Sequence, residues 1–113
     1  MGTNCLAPYL LSILLEPTLI ATAALPSTPA LSVRIIWVVS LLGRTGVPQG
    51  GVHFDDDGTP QILSGYMQNY MQSKCGGAWL ADRFARRLGE KGILSVVSFQ
   101  VSKFVWWRRV SDS

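Results

Sequence analysis

The sequence predicts an α/β fold in which two parallel strands are joined by a helix. Two short runs, residues 33–39 and 93–99, are almost continuously apolar and rich in β-branched side chains, and residues 66–88 between them have helical periodicity. Such apolar runs are typical of strands buried on both faces of a parallel sheet. Gly89 and Gly92 are expected to end the helix before the second strand. The strand–helix–strand order forms a βαβ unit, whose crossover is expected to be right-handed.

Another helix is predicted ahead of the first strand, over residues 3–24, because leucines recur there at helical spacing. Thr3 or Asn4 is positioned to cap its first turn, and Pro8 lies early enough in the helix to be tolerated. Pro17 stands in the interior, where a proline removes a backbone hydrogen bond. We therefore expect a kink or an interruption at Pro17.

Loops are predicted on both sides of the first strand. Prolines and serines predict one over residues 25–32, and glycines, prolines and aspartates predict a long one over residues 41–65. A loop of that length is often functional. Within it, His53 is interpreted as a loop or packing residue, because no nucleophile or metal partner stands beside it. The acidic run at residues 55–57 lacks the alternating ligands of a calcium loop and is interpreted as a solvated turn.

The composition indicates part of a larger core. The 113 residues suffice for one small domain, and with 48% apolar and 15% charged residues the chain is too apolar for intrinsic disorder. So few charges are unusual for a free-standing small domain. Two of the three net positive charges lie in residues 101–113, and no basic patch precedes them, so no nucleic-acid partner is expected.

The cysteines and the apolar N-terminus define the expected environment. Cys5 and Cys75 form no CxxC motif and have no neighbouring histidine, so we predict unpaired thiols, no metal site and a cytoplasmic location. The apolar run over residues 5–25 has no preceding positive charge and is interrupted by Glu16 and two prolines. Neither a signal peptide nor a membrane span is expected from such a segment.

Tyr70 and Lys74 are the candidate chemical pair. Their spacing of four places both side chains on one face of the predicted helix. A lysine ammonium beside a phenol favours the phenolate, and a phenol tuned in this way can act as a general acid or base toward a carbonyl or an alcohol. The same spacing also fits a tyrosine packed in the core beside a lysine whose ammonium reaches solvent.

Around this pair the sequence resembles the active-site helix of the short-chain dehydrogenase/reductase family. It reads Asn-Tyr-Met-Gln-Ser-Lys-Cys-Gly-Gly-Ala over residues 69–78 and Phe-Ala-Arg-Arg-Leu-Gly over residues 84–89. The Tyr-x-x-x-Lys spacing and the following Ala-Arg-Arg-Leu carry the resemblance. The glycine-rich segment Gly-Gly-Val-His-Phe at residues 50–54 is similar to the retinol-dehydrogenase-like and fungal members.

Two further motifs resemble the family in the family's order. Ile-Ile-Trp-Val-Val-Ser, ending at Ser40, resembles the strand that ends in the catalytic serine, although Val39 stands where the first of two serines is usual. Thr-Asn-Cys-Leu-Ala-Pro, containing Asn4, resembles the helix that carries the catalytic asparagine, with Ala7 in place of a common glycine.

The resemblance implies a fold and a reaction. The fold is an incomplete Rossmann-like, doubly wound parallel sheet, with residues 1–100 forming the C-terminal-side part of the domain and residues 101–113 an unrelated basic aromatic tail. The reaction is hydride transfer between NAD or NADP and a small carbonyl or alcohol substrate.

It also implies a role for each candidate residue. Tyr70 would donate or accept the proton, and Lys74 would hold the cofactor ribose, so that both contact the cofactor. Ser40 would hydrogen-bond the substrate oxygen, and Asn4 would anchor a water that links Lys74 to solvent. On the residues alone, Asn4 can equally cap its helix and Ser40 can simply end its strand.

The glycine-rich strand–turn–helix that holds the cofactor pyrophosphate in such folds does not precede Asn4. We therefore expect a fragment truncated at both ends, inactive in isolation, that binds nicotinamide nucleotides weakly or not at all and self-associates through exposed sheet edges. The alternative is a non-catalytic chain that acts as an interaction or membrane-surface protein.

Overall fold

The computed structural model describes residues 1–41 and 46–99. A π-helical turn, Gly2–Leu6, leads into helix α1 (Ala7–Ala23), followed by strand β1 (Arg34–Val39), helix α2 (Tyr66–Leu88), a 3-10 turn (Gly89–Lys91) and strand β2 (Leu94–Phe99). The predicted order of elements and the α/β class are confirmed. The predicted tail, residues 101–113, lies outside the described residues.

The two strands form a parallel pair. Arg34 lies opposite Leu94 and Val39 opposite Phe99, so the strands are in register along their whole length. Helix α2 and the turn after it return the chain from the end of β1 to the start of β2, and Gly92 allows this return by adopting a φ of 78°, in the left-handed region that favours glycine. Among the described residues the sheet has these two strands alone, which leaves one edge of each unpaired.

The core lies between this sheet and helix α2. Phe84 is 1% exposed and packs against Trp37 of β1, with ring centroids 5.4 Å apart. The Trp37 indole donates to the Ser95 hydroxyl of β2, which in turn donates to the Ala81 carbonyl of α2. Three elements are thereby joined at one point. The remaining members of this buried cluster are Val39, Leu88 and Ile93.

Within the part of the chain that the structure describes, strand β1 is covered on one face only, which corrects the prediction that both faces are buried. Trp37 and Val39 point into the core, whereas Ile36 and Val38 are 58% and 67% exposed. The continuous apolar pattern was interpreted as burial on both faces, but in the described residues both helices pack on the core side.

Helix α1 also departs from the prediction in two respects. No side chain caps the first turn, because the helical path starts at Gly2 and Asn4 lies inside the π-helical turn. Pro17 does not interrupt the helix, which continues to Ala23. Glu16, directly before Pro17, is buried, and both oxygens of its carboxylate accept the Arg87 Nε–H, which ties the helix to α2 beside the proline.

The helical segment Gly2–Ala23 is long and apolar enough to cross a membrane by length and composition. That is weak evidence, since the core helix of a soluble protein satisfies the same criterion. The expectation that this segment spans no membrane stays a prediction.

Candidate functional site

Tyr70 and Lys74 meet on the face of α2 as their spacing predicts. The Lys74 ammonium nitrogen lies 5.7 Å from the centroid of the Tyr70 ring, within the range of a cation–π contact. Both side chains are half-buried. The lysine therefore places a positive charge beside the phenol.

Lys74 also joins α2 to the carboxyl end of β1. Its ammonium donates to the Val38 carbonyl oxygen at 3.0 Å, two residues before Ser40. Ser40 directly follows the last residue of β1 and is half-buried. The lysine thus reaches the strand end at which the candidate serine stands.

Asn4 is connected to the same turn of α2 through a residue that the sequence reasoning did not single out. The Asn4 Nδ2 donates to the Ser73 hydroxyl at 2.9 Å, and that hydroxyl donates to the Tyr70 carbonyl at 2.7 Å. The neighbouring Cys5 thiol donates to the Ser73 carbonyl. The π-helical turn is therefore held against the Tyr70–Lys74 segment by hydrogen bonds to the hydroxyl and to the backbone carbonyl of Ser73.

A cleft of about 290 Å³ lies between these elements. Asn4 and Lys74 line it together with Gly77 and residues 36–39 of β1. Tyr70 and Ser40 are not part of its lining. The structure thus brings Asn4 and Lys74 to one cleft, with Tyr70 against the lysine and Ser40 at the end of the adjoining strand.

Two amide side chains of α2, Asn69 and Gln72, fix the long loop on the flank of this site. Gln72 is 1% exposed, accepts a hydrogen bond from the His53 backbone amide and donates to the Gln61 carbonyl. Asn69 exchanges hydrogen bonds with both backbone groups of Leu63. Neither amide was predicted from the sequence, because polar residues on a helix are usually solvated and the partners of these two lie in a loop 6 to 19 residues away along the chain.

The thiols lie apart from this chemistry. Cys5 and Cys75 are buried and free, and burial raises the pKa of both thiols above the ordinary value of 9.0. Neutral buried thiols are inert packing groups.

In the acidic turn, the Thr59 backbone amide donates to the Asp57 carboxylate and lowers its pKa. No cluster of three or more metal-ligating side chains occurs within residues 1–41 and 46–99.

Comparison with known proteins shows which class of protein contains this parallel α/β unit. The chain belongs to the short-chain dehydrogenase/reductase family: four curated relatives, each named a short-chain dehydrogenase/reductase or an oxidoreductase, are 36–41% identical to it over about 85% of its length.

Among these relatives, the short-chain dehydrogenase/reductase iacJ of Pestalotiopsis fici is 41% identical over 96 residues, which cover 85% of this chain and 28% of the relative. An uncharacterized oxidoreductase, C736.13 of Schizosaccharomyces pombe, is 38% identical over 83% of this chain and 27% of its own length. A short-chain dehydrogenase/reductase of Phomopsis amygdali is 37% identical over 85% of the chain. The chain thus spans little more than a quarter of the length of the curated relatives it matches.

No family model matches the chain in a scan of known families. A search of solved structures also finds no match.

Proposed function

We propose that this chain is the proton-transfer segment of an NAD(P)-dependent oxidoreductase that interconverts a carbonyl and an alcohol. The observation that carries the proposal is the contact between Lys74 and Tyr70, made by a lysine that also bonds to the end of β1. A phenol held beside a lysine in this way can act as a general acid or base toward a substrate oxygen.

In this proposal each of the four candidate residues has one role. Tyr70 gives a proton to the substrate oxygen during reduction and takes it back during oxidation. Lys74 holds the ribose of the cofactor. Ser40 donates a hydrogen bond to the same oxygen, and Asn4 holds a water through which Lys74 exchanges protons with solvent. The position of Asn4 and Lys74 on one cleft supports the last assignment.

The residues present fit a nicotinamide nucleotide. An ammonium has three N–H donors, and Lys74 uses one of them on the Val38 carbonyl. The other two would bind the ribose hydroxyls, and in our proposal the Tyr70 hydroxyl shares that contact. When bound, the nicotinamide supplies or accepts the hydride. The substrate we propose is a small carbonyl or alcohol compound.

The test begins with sequencing of the transcript that encodes this chain, because the chain spans about 28% of its relatives' length. The polypeptide encoded by the whole transcript is then assayed for NAD(P)H oxidation with a panel of small ketones and aldehydes. We expect Tyr70→Phe to lower kcat by about 10²- to 10⁴-fold, since it removes the proton-transfer group.

Tyr66→Phe is the matched control. Tyr66 stands one turn before Tyr70 on α2 and is 85% exposed, so its substitution is expected to leave kcat unchanged. Undiminished turnover by the Tyr70→Phe variant would refute the proposal. So would the absence of nicotinamide-dependent turnover in the whole polypeptide.

A second candidate function, a non-catalytic interaction protein, is favoured by one observation. The outer face of β1 and the outer surface of α1 expose large apolar side chains, with Leu14 and Val38 both 67% exposed. Association with a partner in the absence of nicotinamide binding would support this function over the first.

A further inference from the structure

Ser73 occupies a buried position between the two segments that carry the candidate site. It is 4% exposed, and its hydroxyl touches Asn4 on the π-helical turn and the Tyr70 carbonyl on α2. Neither contact belongs to the four roles assigned above. The hydroxyl therefore links two of the proposed site residues.

The direction of each hydrogen bond follows from elementary chemistry. A backbone carbonyl can only accept a hydrogen bond. At 2.7 Å, the Ser73 hydroxyl must therefore donate its single hydrogen to the backbone carbonyl oxygen of Tyr70. The hydroxyl then has only lone pairs to offer to Asn4. The atom of Asn4 that faces it at 2.9 Å must therefore be the donor, Nδ2.

This constraint selects one of the two orientations of the Asn4 amide. With Nδ2 committed to Ser73, the Asn4 carbonyl oxygen Oδ1 is the acceptor that the side chain retains, and Asn4 lines the cleft beside Lys74. An acceptor is what a water needs if it is to bridge this side chain and an ammonium, which only donates. The flipped amide would offer two donors instead.

We propose that Ser73 is a positioning residue that fixes the orientation of the Asn4 amide, so that Oδ1 is the acceptor available at the Lys74 cleft. The consequence for proton exchange through Lys74 rests on the proposed function. The orientation of the amide does not, and it is tested separately.

The experiment is nuclear magnetic resonance on the full ¹⁵N-labelled chain, which reports the side-chain amide hydrogens of Asn4. The chain contains one other asparagine, Asn69, whose amide donates to Leu63 and Gly65 and serves as the internal reference. The Asn4→Ala variant assigns the Asn4 signals. We expect Ser73→Ala to accelerate solvent exchange of the Asn4 side-chain hydrogens by about fivefold, the effect of losing one typical hydrogen bond.

Two variants separate positioning from general loosening. Ser73→Thr keeps the hydroxyl and is expected to restore slow exchange. Ser95→Ala is the matched control, because the Ser95 hydroxyl also donates to an α2 carbonyl and accepts from a side-chain N–H, but joins β2 and Trp37 instead. It is expected to leave the Asn4 signals unchanged.

Three results would overturn the proposal: Asn4 signals in the unmodified chain at the position and exchange rate of a free asparagine amide, equal acceleration by Ser95→Ala, or no acceleration by Ser73→Ala. Because the measurement needs no cofactor and no turnover, a failure of the proposed oxidoreductase activity leaves its result intact. Conversely, if the enzyme is active but Ser73→Ala leaves the exchange of the Asn4 side-chain hydrogens unchanged, only the positioning role is refuted.

Discussion

Single buried polar side chains connect parts of this protein that are distant in sequence. Gln72 holds the long loop at two backbone groups, and Ser73 holds the N-terminal turn. Each is almost fully buried, and a buried polar group without a partner is costly. Because the partners lie 11 to 69 residues away along the chain, no local sequence pattern could identify them.

The candidate site was therefore predictable in part. The spacing of Tyr70 and Lys74 correctly predicted that the two side chains meet, since helical geometry depends on local sequence alone. The motif order likewise identified the family. The contacts of Asn4 and Lys74 with Ser73 and Val38 required tertiary structure, which local periodicity does not encode.

Replacing Gln72 tests the attachment of the loop. Gln72→Leu keeps a similar volume but leaves the His53 amide and the Gln61 carbonyl without their partner, at a cost of about 2 kcal/mol. Cleavage of the loop by Asp-N endoproteinase at residues 55–57 should accelerate about tenfold as local opening becomes easier. Gln68→Leu, at an exposed position of the same helix, is the control and should be cleaved like the unmodified chain. Equal cleavage of both variants would contradict this attachment.

At the scale of elements, the close approach of the π-helical turn to α2 depends on glycine. A Cβ atom at Gly76 would lie 2.7 Å from the Cys5 sulfur, closer than real Cβ atoms come to other atoms. The second helix can therefore approach the first turn only because position 76 has no side chain. This contact also brings Asn4 within reach of Ser73.

Gly76→Ala should accordingly destabilise the fold by about 1–3 kcal/mol, the usual cost of overpacking. Gly89→Ala is the matched control: no atom lies within 4 Å of its added Cβ, its φ is a helical −57°, and the free energy of unfolding should rise by about 0.4–1 kcal/mol. Urea unfolding followed by tryptophan fluorescence measures both. The added substitution Cys5→Ala should relieve part of the Gly76→Ala loss, and equal stability of Gly76→Ala and Gly89→Ala would disprove the close approach.

Element boundaries show which sequence signals are reliable. Helix α2 was predicted over its observed range because its periodicity is long and glycine follows it. Of the kink or interruption predicted at Pro17, the interruption is wrong, because the helix continues to Ala23 and an ion pair between Glu16 and Arg87 ties it to α2 beside the proline. The kink stays a prediction. The prediction that both faces of β1 are buried was wrong. Apolar side chains on a face show that the face can be buried, but the described residues cover only one face of this strand.

At the scale of the whole molecule, residues 1–41 and 46–99 leave apolar surface uncovered on two sides. The π-helical turn exposes Leu6, helix α1 exposes Leu10 and Leu14, and β1 exposes Ile36 and Val38. Monomeric proteins seldom leave contiguous apolar surface of this kind in water, and unpaired strand edges offer further sites of association. The chain is therefore expected to self-associate when it is studied alone.

Sedimentation velocity over a range of concentrations tests this expectation. The double variant Ile36→Lys/Val38→Lys places charges on the open face of β1 and should shift the distribution toward monomer. Ile62→Lys is the control, since Ile62 is an isolated loop residue, 93% exposed, and should leave the distribution unchanged. A monomeric unmodified chain at every concentration would contradict the prediction.

The parallel pairing of β1 with β2 also determines the order in which the chain can fold. Arg34 pairs with Leu94, sixty residues later, so the sheet cannot form until a long segment has closed on itself. The entropy of closing such a segment is lost before any strand hydrogen bond is gained, whereas α2 forms from contacts four residues apart. We therefore expect helix α2, with the Tyr70–Lys74 pair aligned on one face, to form ahead of the strand end against which the lysine later docks.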